Sequence, residues 1–434
     1  MAAQVRADLV RDVLVREFGD LMARDPAAFR RKFRKMAASP FAFYRGSAAL
    51  FYADLTGDFA DDTFLDPRTS RVWIHGDLHA ENFGTYMSDA GVLVFNVNDF
   101  DEAYVGPFTW DLRRLAASVA LLGYAKALSD EVITALVTAF TRAYHAELAA
   151  LAGGGDDAIG SITLDNATGV LRRVLQRARL RTRVDLLATQ TTVDNFERRF
   201  STGEGVRAVA PAERRAVVSA FEAYLDTLPA GRSRPLAARV KDVTLRTGVG
   251  IGSAGLPSYN LLLEGHTQAL ENDVVLYMKQ AQVPAVARHV PDARVAAYFA
   301  HQGHRTAESQ RALQAHADPW CGYTVLADVG QVVAEVSPYA ADLDWSDVNE
   351  PEDLAGVFSD LGRAVARMHA VADDESAHDL VDYSTEEAIV AAVGAELDAL
   401  VANLVDFAHA YGSRVRADHQ LFVDLFRNNR LPGL

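Results

Sequence analysis

The sequence predicts an α+β fold in two lobes, a largely helical large lobe and a small antiparallel β lobe. Three observations carry this. Apolar residues recur at helical spacing from Trp110 to about Leu228 and again from Glu352 to Phe426. Between them, Val243 to Val336 changes to β-branched and apolar runs broken by Gly and Asp turns. Upstream, two short strand-like runs, Arg71–Ile74 and Val92–Val97, flank polar loops. The Arg-, Gly- and Ser-rich segment Pro229 to Pro235 is the internal boundary. The expected division is a large lobe with the polar loops over 1–230, a β-rich small lobe over 235–345, and helices packing back on the large lobe over 346–434.

Each element has a local reason. Val5, Leu9, Val13, Leu14 and Phe18 form one apolar stripe, so residues 1–38 read as helical until Ser39-Pro40 ends the helix. The aromatic segment Phe41-Ala42-Phe43-Tyr44-Arg45-Gly46 leads into a short helix near Ala48 to Leu55. Arg71–Ile74 delivers His75 into a loop. A turn at Met87-Ser88-Asp89-Ala90-Gly91 makes a small hairpin, with Asn82 on one side and Asp99 on the other. In the small lobe, Val274–Lys279 is a strand, Asp292 to His316 a helix, and Tyr323 to Val336 two strands turning at Asp328-Val329-Gly330.

Composition bounds the function. The chain has 434 residues, half of them apolar and 23% charged, which fits a globular protein with a large core. A net charge of −15 argues against a broad nucleic-acid surface. The single Cys321 supports no internal disulfide framework and fits a reducing compartment. The N-terminus lacks the apolar core of a signal peptide, and no apolar run approaches the ~20 residues of a membrane span. The expectation is a cytoplasmic protein without nucleic-acid or membrane partners.

The most informative stretch is His75-Gly76-Asp77-Leu78-His79-Ala80-Glu81-Asn82, followed by Asn98-Asp99-Phe100-Asp101. Asp77 and Asn82 are five apart, and Asp99 ends an apolar run. Phosphoryl transfer needs this chemistry: one carboxylate to orient a hydroxyl, with an Asn and a second Asp to hold Mg²⁺ against a nucleotide's phosphates. Two other readings stay open, a plain polar turn and a metal hydrolase using His75, Asp77 and His79.

With Gly106-Pro107-Phe108-Thr109-Trp110-Asp111-Leu112 added, these motifs resemble the aminoglycoside phosphotransferase and choline kinase branch of the protein-kinase-like superfamily. The resemblance implies ATP and Mg²⁺ as cofactors. It makes Asp77 catalytic, Asn82 and Asp99 the metal ligands, His75 and Asp101 supports, and Asp111 the buttress of the catalytic loop. It also implies a small-molecule acceptor. Ser39 to Ala117 more closely resembles the bacterial domain of unknown function 2252 family, over most of the chain, which implies no particular reaction.

A kinase places its nucleotide-binding half before the catalytic loop, yet only 74 residues precede His75. Candidates for that half lie downstream. Gly248, Gly250, Gly252, Ser253 and Gly255 form a segment in which backbone N–H groups can approach phosphates. Lys279 ends a strand, where a kinase lysine pairs with phosphates, and Glu308 lies on the next helix, where that lysine finds its carboxylate. Leu361 to Ala370 resembles the helix that leads into the His-Gly-Asp loop of phosphotransferases, although no such loop follows it here. A circularly permuted kinase-like fold reconciles both oddities. Arg45 is a further candidate for a phosphate or an acidic substrate. A nucleotide-binding regulatory protein without turnover and an AMP-transferring enzyme remain alternatives.

Overall fold

The computed structural model describes residues 2–154, 161–228, 239–247, 255–374, 376 and 378–433. Six antiparallel strands form the main sheet, in the order Gly322–Leu326, Val329–Glu335, Val274–Gln280, Ser258–Leu263, Val240–Arg246 and Val206–Ala208. The period-two alternation of strands decides its faces. Val274, Leu276 and Met278 bury against the helix Pro211–Tyr224, so Tyr277 and Lys279 project to the opposite face, beside the helix Gln302–Leu313.

A smaller sheet orders Ala341–Asp342, Phe83–Met87, Leu93–Val97 and Ile162–Thr163, and Val72–Ile74 pairs with Tyr104–Gly106. Around these pack the helices Phe108–Ala125, Asp130–Ala152, Pro351–Ala370 and Leu397–Arg427, which share one large apolar core. Arg6 joins the chain's two ends. Its guanidinium bonds Asp54 on the helix Ala48–Leu55 at 2.6 Å and Asp418 on the last long helix at 2.9 Å. Among the described residues, no single helix is long and apolar enough to cross a membrane.

The architecture is thus α+β with antiparallel sheets, and several boundaries differ from expectation. Residues 191–208 are not helical. Thr191–Asp194 and Glu197–Phe200 form a hairpin, and Val206–Ala208 joins the main sheet, as the β-branched run Thr191-Thr192-Val193 favours. The sheet and its covering helix therefore recruit residues upstream of 230, while Pro229 to Pro235 lies outside the described residues. The N-terminal segment is two helices, Ala2–Arg24 and Pro26–Met36, because Asp25 caps the second by accepting from Ala28 N. The expected helix over 292–316 breaks where His301 caps a new start, and that over 385–426 breaks at Gly394, whose φ is 52°.

One contact ties the strand before His75 to a titratable group. Trp73 Nε1 donates to His378 Nδ1 at 3.3 Å, and Ser376 Oγ lies 2.8 Å from His378 Nε2. Burial pulls His378 from 6.5 down to about 4, and protonation would remove the acceptor that Trp73 uses. Since the unfolded chain takes up the proton first, this contribution is present above about pH 6.5 and lost as pH falls toward 4. Urea midpoints should show an acid loss of about 1–2 kcal/mol that His378→Gln lacks. Identical pH slopes in the two proteins would contradict this.

Candidate active site

Asp111, fully buried in the first turn of its helix, organises the loop that begins at His75. Its Oδ2 accepts from His75 N at 2.7 Å and its Oδ1 from Gly76 N at 3.0 Å. His369 Nε2 lies 3.3 Å from the same carboxylate, and Tyr144 Oη is 2.8 Å from His369 Nδ1. His369 belongs to the helix Pro351–Ala370, so the late helix that resembles a loop-feeding element touches the buttress of the early loop. Gly76 is obligatory: its φ is 78°, and a Cβ there would lie 2.1 Å from Glu102 O.

Within the loop, Asn82 Nδ2 donates to Asp77 O at 2.9 Å, which leaves Asn82 Oδ1 as an acceptor. His75 Nε2 sits 2.8 Å from Asn98 O, which fixes the segment entering Asp99. Asp99 is held in a left-handed conformation, φ 62° and ψ 74°, a strained setting for a non-glycine residue. Burial pushes its carboxyl up, Asp101 adds to this, and Lys279 opposes it.

Asp77 has a partner that the sequence did not suggest. Arg114, one helical turn after Asp111, is fully buried and donates through Nε to Asp77 Oδ1 at 2.6 Å; its Nη2 also pairs with that oxygen. Burial pushes the Asp77 carboxyl up while Arg114 pulls it down. The second oxygen, Oδ2, lies 4.0 Å from His79 Nε2. Burial drives His79 well below its ordinary range, so the ring is neutral. The hydrolase set of His75, Asp77 and His79 does not converge. His75 Nδ1 accepts from Asp77 N, His79 Nδ1 accepts from Glu81 N, and among the described residues no three His, Cys, Asp or Glu side chains are placed to hold a metal.

From the six-stranded sheet, Lys279 Nζ reaches Asp101 at 2.6 Å, and the two carboxylates Asp101 and Asp99 hold its ammonium well above the usual range. The expected Lys279–Glu308 pair is therefore corrected. Glu308 pairs with Arg311 on its own helix at 2.6 Å. The residue that docks this helix is Arg305, fully buried, which donates to Ala103 O at 2.6 Å and Asp101 O at 2.7 Å. Of the Gly-rich candidates, Gly248, Gly250, Gly252 and Ser253 lie outside the described residues. Gly255, φ 76°, lies so close to the helix Pro26–Met36 that a Cβ would sit 3.3 Å from Phe29.

Two cavities meet at Asp99 and Asp101. The larger, about 240 Å³, is lined by Asp99, Lys279, Thr306, Gln310, Glu335 and Ser337, among others. Burial pushes Glu335 up to about 7, against the pull of Arg183. The smaller, about 80 Å³, holds Asp77, Glu102, Arg45 and Lys32. Arg45 pairs with Glu81 at its rim. Nothing in the local sequence of the helix Pro26–Met36 places Lys32 here.

The fold and site define an α+β protein whose antiparallel sheets bring carboxylates, an asparagine and a lysine to one cleft. The chain belongs to the bacterial family described as an uncharacterized protein conserved in bacteria, domain of unknown function 2252, whose family model matches residues 24–425. No curated protein and no solved structure matches it.

Proposed function

We propose that the chain is a Mg-ATP-dependent phosphotransferase of circularly permuted kinase-like fold, acting on a hydroxyl of a small-molecule acceptor. The observation that carries it is the meeting of Asp77, Asp99 and Lys279 across two adjoining cavities, with Asn82 bonded to the backbone of Asp77. The order of elements supports it: Gly248 to Gly255 joins the strands Val240–Arg246 and Ser258–Leu263 in sequence, Lys279 is on the next strand, and a helix follows. The contact of His369 with Asp111 supports the permutation, as does the Arg6 clasp between the chain's ends.

The donor set fits the cofactor. Mg²⁺ with a nucleotide needs only one or two protein oxygens beside phosphates and water, and Asp99 with Asn82 Oδ1 supplies them. Bound Mg²⁺ would neutralise charge on the transferring phosphate oxygens. Lys279, held charged by Asp101, pairs with the remaining phosphate charge. Asp77 is fixed by Arg114 through Oδ1 and accepts the acceptor's hydroxyl proton at Oδ2, as the acceptor oxygen bonds the γ-phosphorus and ADP departs. The push of burial on Asp77 raises its basicity for that step.

The test incubates the protein with Mg-ATP and a panel of small hydroxyl compounds and resolves the nucleotide products. ADP with a phosphorylated acceptor is expected, and Lys279→Met should raise the ATP requirement roughly 10- to 100-fold. Pyrophosphate release would replace this reading with AMP transfer. Binding with no turnover would replace it with a regulatory role.

A further inference from the structure

The smaller cavity contains one cation that the chemistry above does not use. Lys32, on the helix Pro26–Met36, is 3% exposed. Its ammonium lies 3.8 Å from the Phe18 ring centroid and 5.7 Å from that of Phe29. Among the described residues it has no hydrogen-bond acceptor and no carboxylate within ion-pair reach. Most of the acids that line the same cavity are already engaged. Glu17 pairs with Arg288 at 3.1 Å, Asp77 with Arg114, and Asp101 with Lys279. Glu102 accepts from Ala285 N at 2.6 Å, and burial pushes its carboxyl up to about 8.

A buried ammonium without an anion is costly, and contact with aromatic rings offsets only part of that cost. Burial pulls Lys32 down to about 8, against the opposing pull of Glu102, Glu17 and Asp77, so it keeps its charge at neutral pH. The unmet demand is for an anion, and it lies on the same cavity wall as the Asp77 carboxylate that would receive the acceptor hydroxyl. Arg45 at the rim, shared with Glu81, adds a second cation on that side.

We propose that Lys32 is a specificity residue that binds an anionic group, phosphate or carboxylate, carried by the hydroxyl acceptor. This rests on the phosphotransferase reading and narrows it from any small hydroxyl compound to acidic ones. Carboxylate and phosphate acceptors are separated by the probes.

The test measures thermal shifts of the full chain with Mg-ADP and glycerol 3-phosphate, glycerate or glycerol. The two anionic probes are expected to raise the Tm and glycerol is not. Lys32→Met should weaken the anionic response roughly tenfold or more, keep the Mg-ADP shift, and leave the ligand-free Tm unchanged or higher. Lys32→Arg should retain part of the response. An anionic response intact in Lys32→Met, an equal response to glycerol, or no anion-dependent response in the wild type overturns the proposal. A fall in the ligand-free Tm of Lys32→Met overturns it too, since that marks a structural cation. Loss of the Mg-ADP shift alone would count against the nucleotide reading, and the anion comparison without nucleotide would still decide the role of Lys32.

Discussion

Asp77→Asn is expected to lower ADP formation by roughly 10²- to 10⁴-fold, the usual worth of a positioned proton acceptor. Affinity for Mg-ATP should stay close to wild type, because Asp77 lines the smaller cavity and Lys279 the larger. The amide retains an oxygen for Arg114 but no charge, so stability should fall by about 1–3 kcal/mol. Assays therefore belong well below the variant's Tm. Turnover within a few-fold of wild type would mean that Asp77 serves Arg114 and not a substrate.

The second large effect is structural. Asp111→Ala removes the acceptor of His75 N, Gly76 N and His369 Nε2 in a site with no solvent. Buried donors left without partners cost about 1–3 kcal/mol each, and the losses overlap. Denaturant unfolding should register about 3–5 kcal/mol of destabilisation, among the largest for any single polar residue here. Because Asp111 holds the loop and touches no substrate, nucleotide turnover should fall with loop order, and amide exchange at His75 and Gly76 should quicken. A loss below about 1 kcal/mol would contradict its role as the loop's anchor.

Much of this site was legible because its parts are local. The strand before His75 and the hairpin leading to Asp99 each follow from residue type and short-range spacing. The projection of Lys279 toward the cleft also follows from strand alternation against Val274, Leu276 and Met278. What failed depended on distant partners. Lys279 and Asp101 are separated by 178 positions, so nothing local favoured that carboxylate over Glu308. Arg114 looks from its sequence like any arginine on an amphipathic helix, and only packing reveals its burial beside Asp77. Lys32 is opaque to a local reading for the same reason. Its helix packs Phe29 beside Gly255 and sets Lys32 over Phe18 of the first helix, contacts between residues distant in sequence or on separate helices. The hairpin over 191–200 was missed for a different reason: the helical periodicity of its flanks masked a β-branched run.

The most direct measurement of the Mg-nucleotide site is a calorimetric titration of ATP into the wild type and Asp99→Asn, with Mg²⁺ and with a chelator. The wild type should bind ATP with Mg²⁺ and far more weakly without it, and Asp99→Asn should lose that metal dependence while remaining folded. No heat from Mg-ATP in the wild type, or equal affinity with and without metal in both proteins, would contradict a nucleotide and Mg²⁺ site built on Asn82, Asp99 and Lys279.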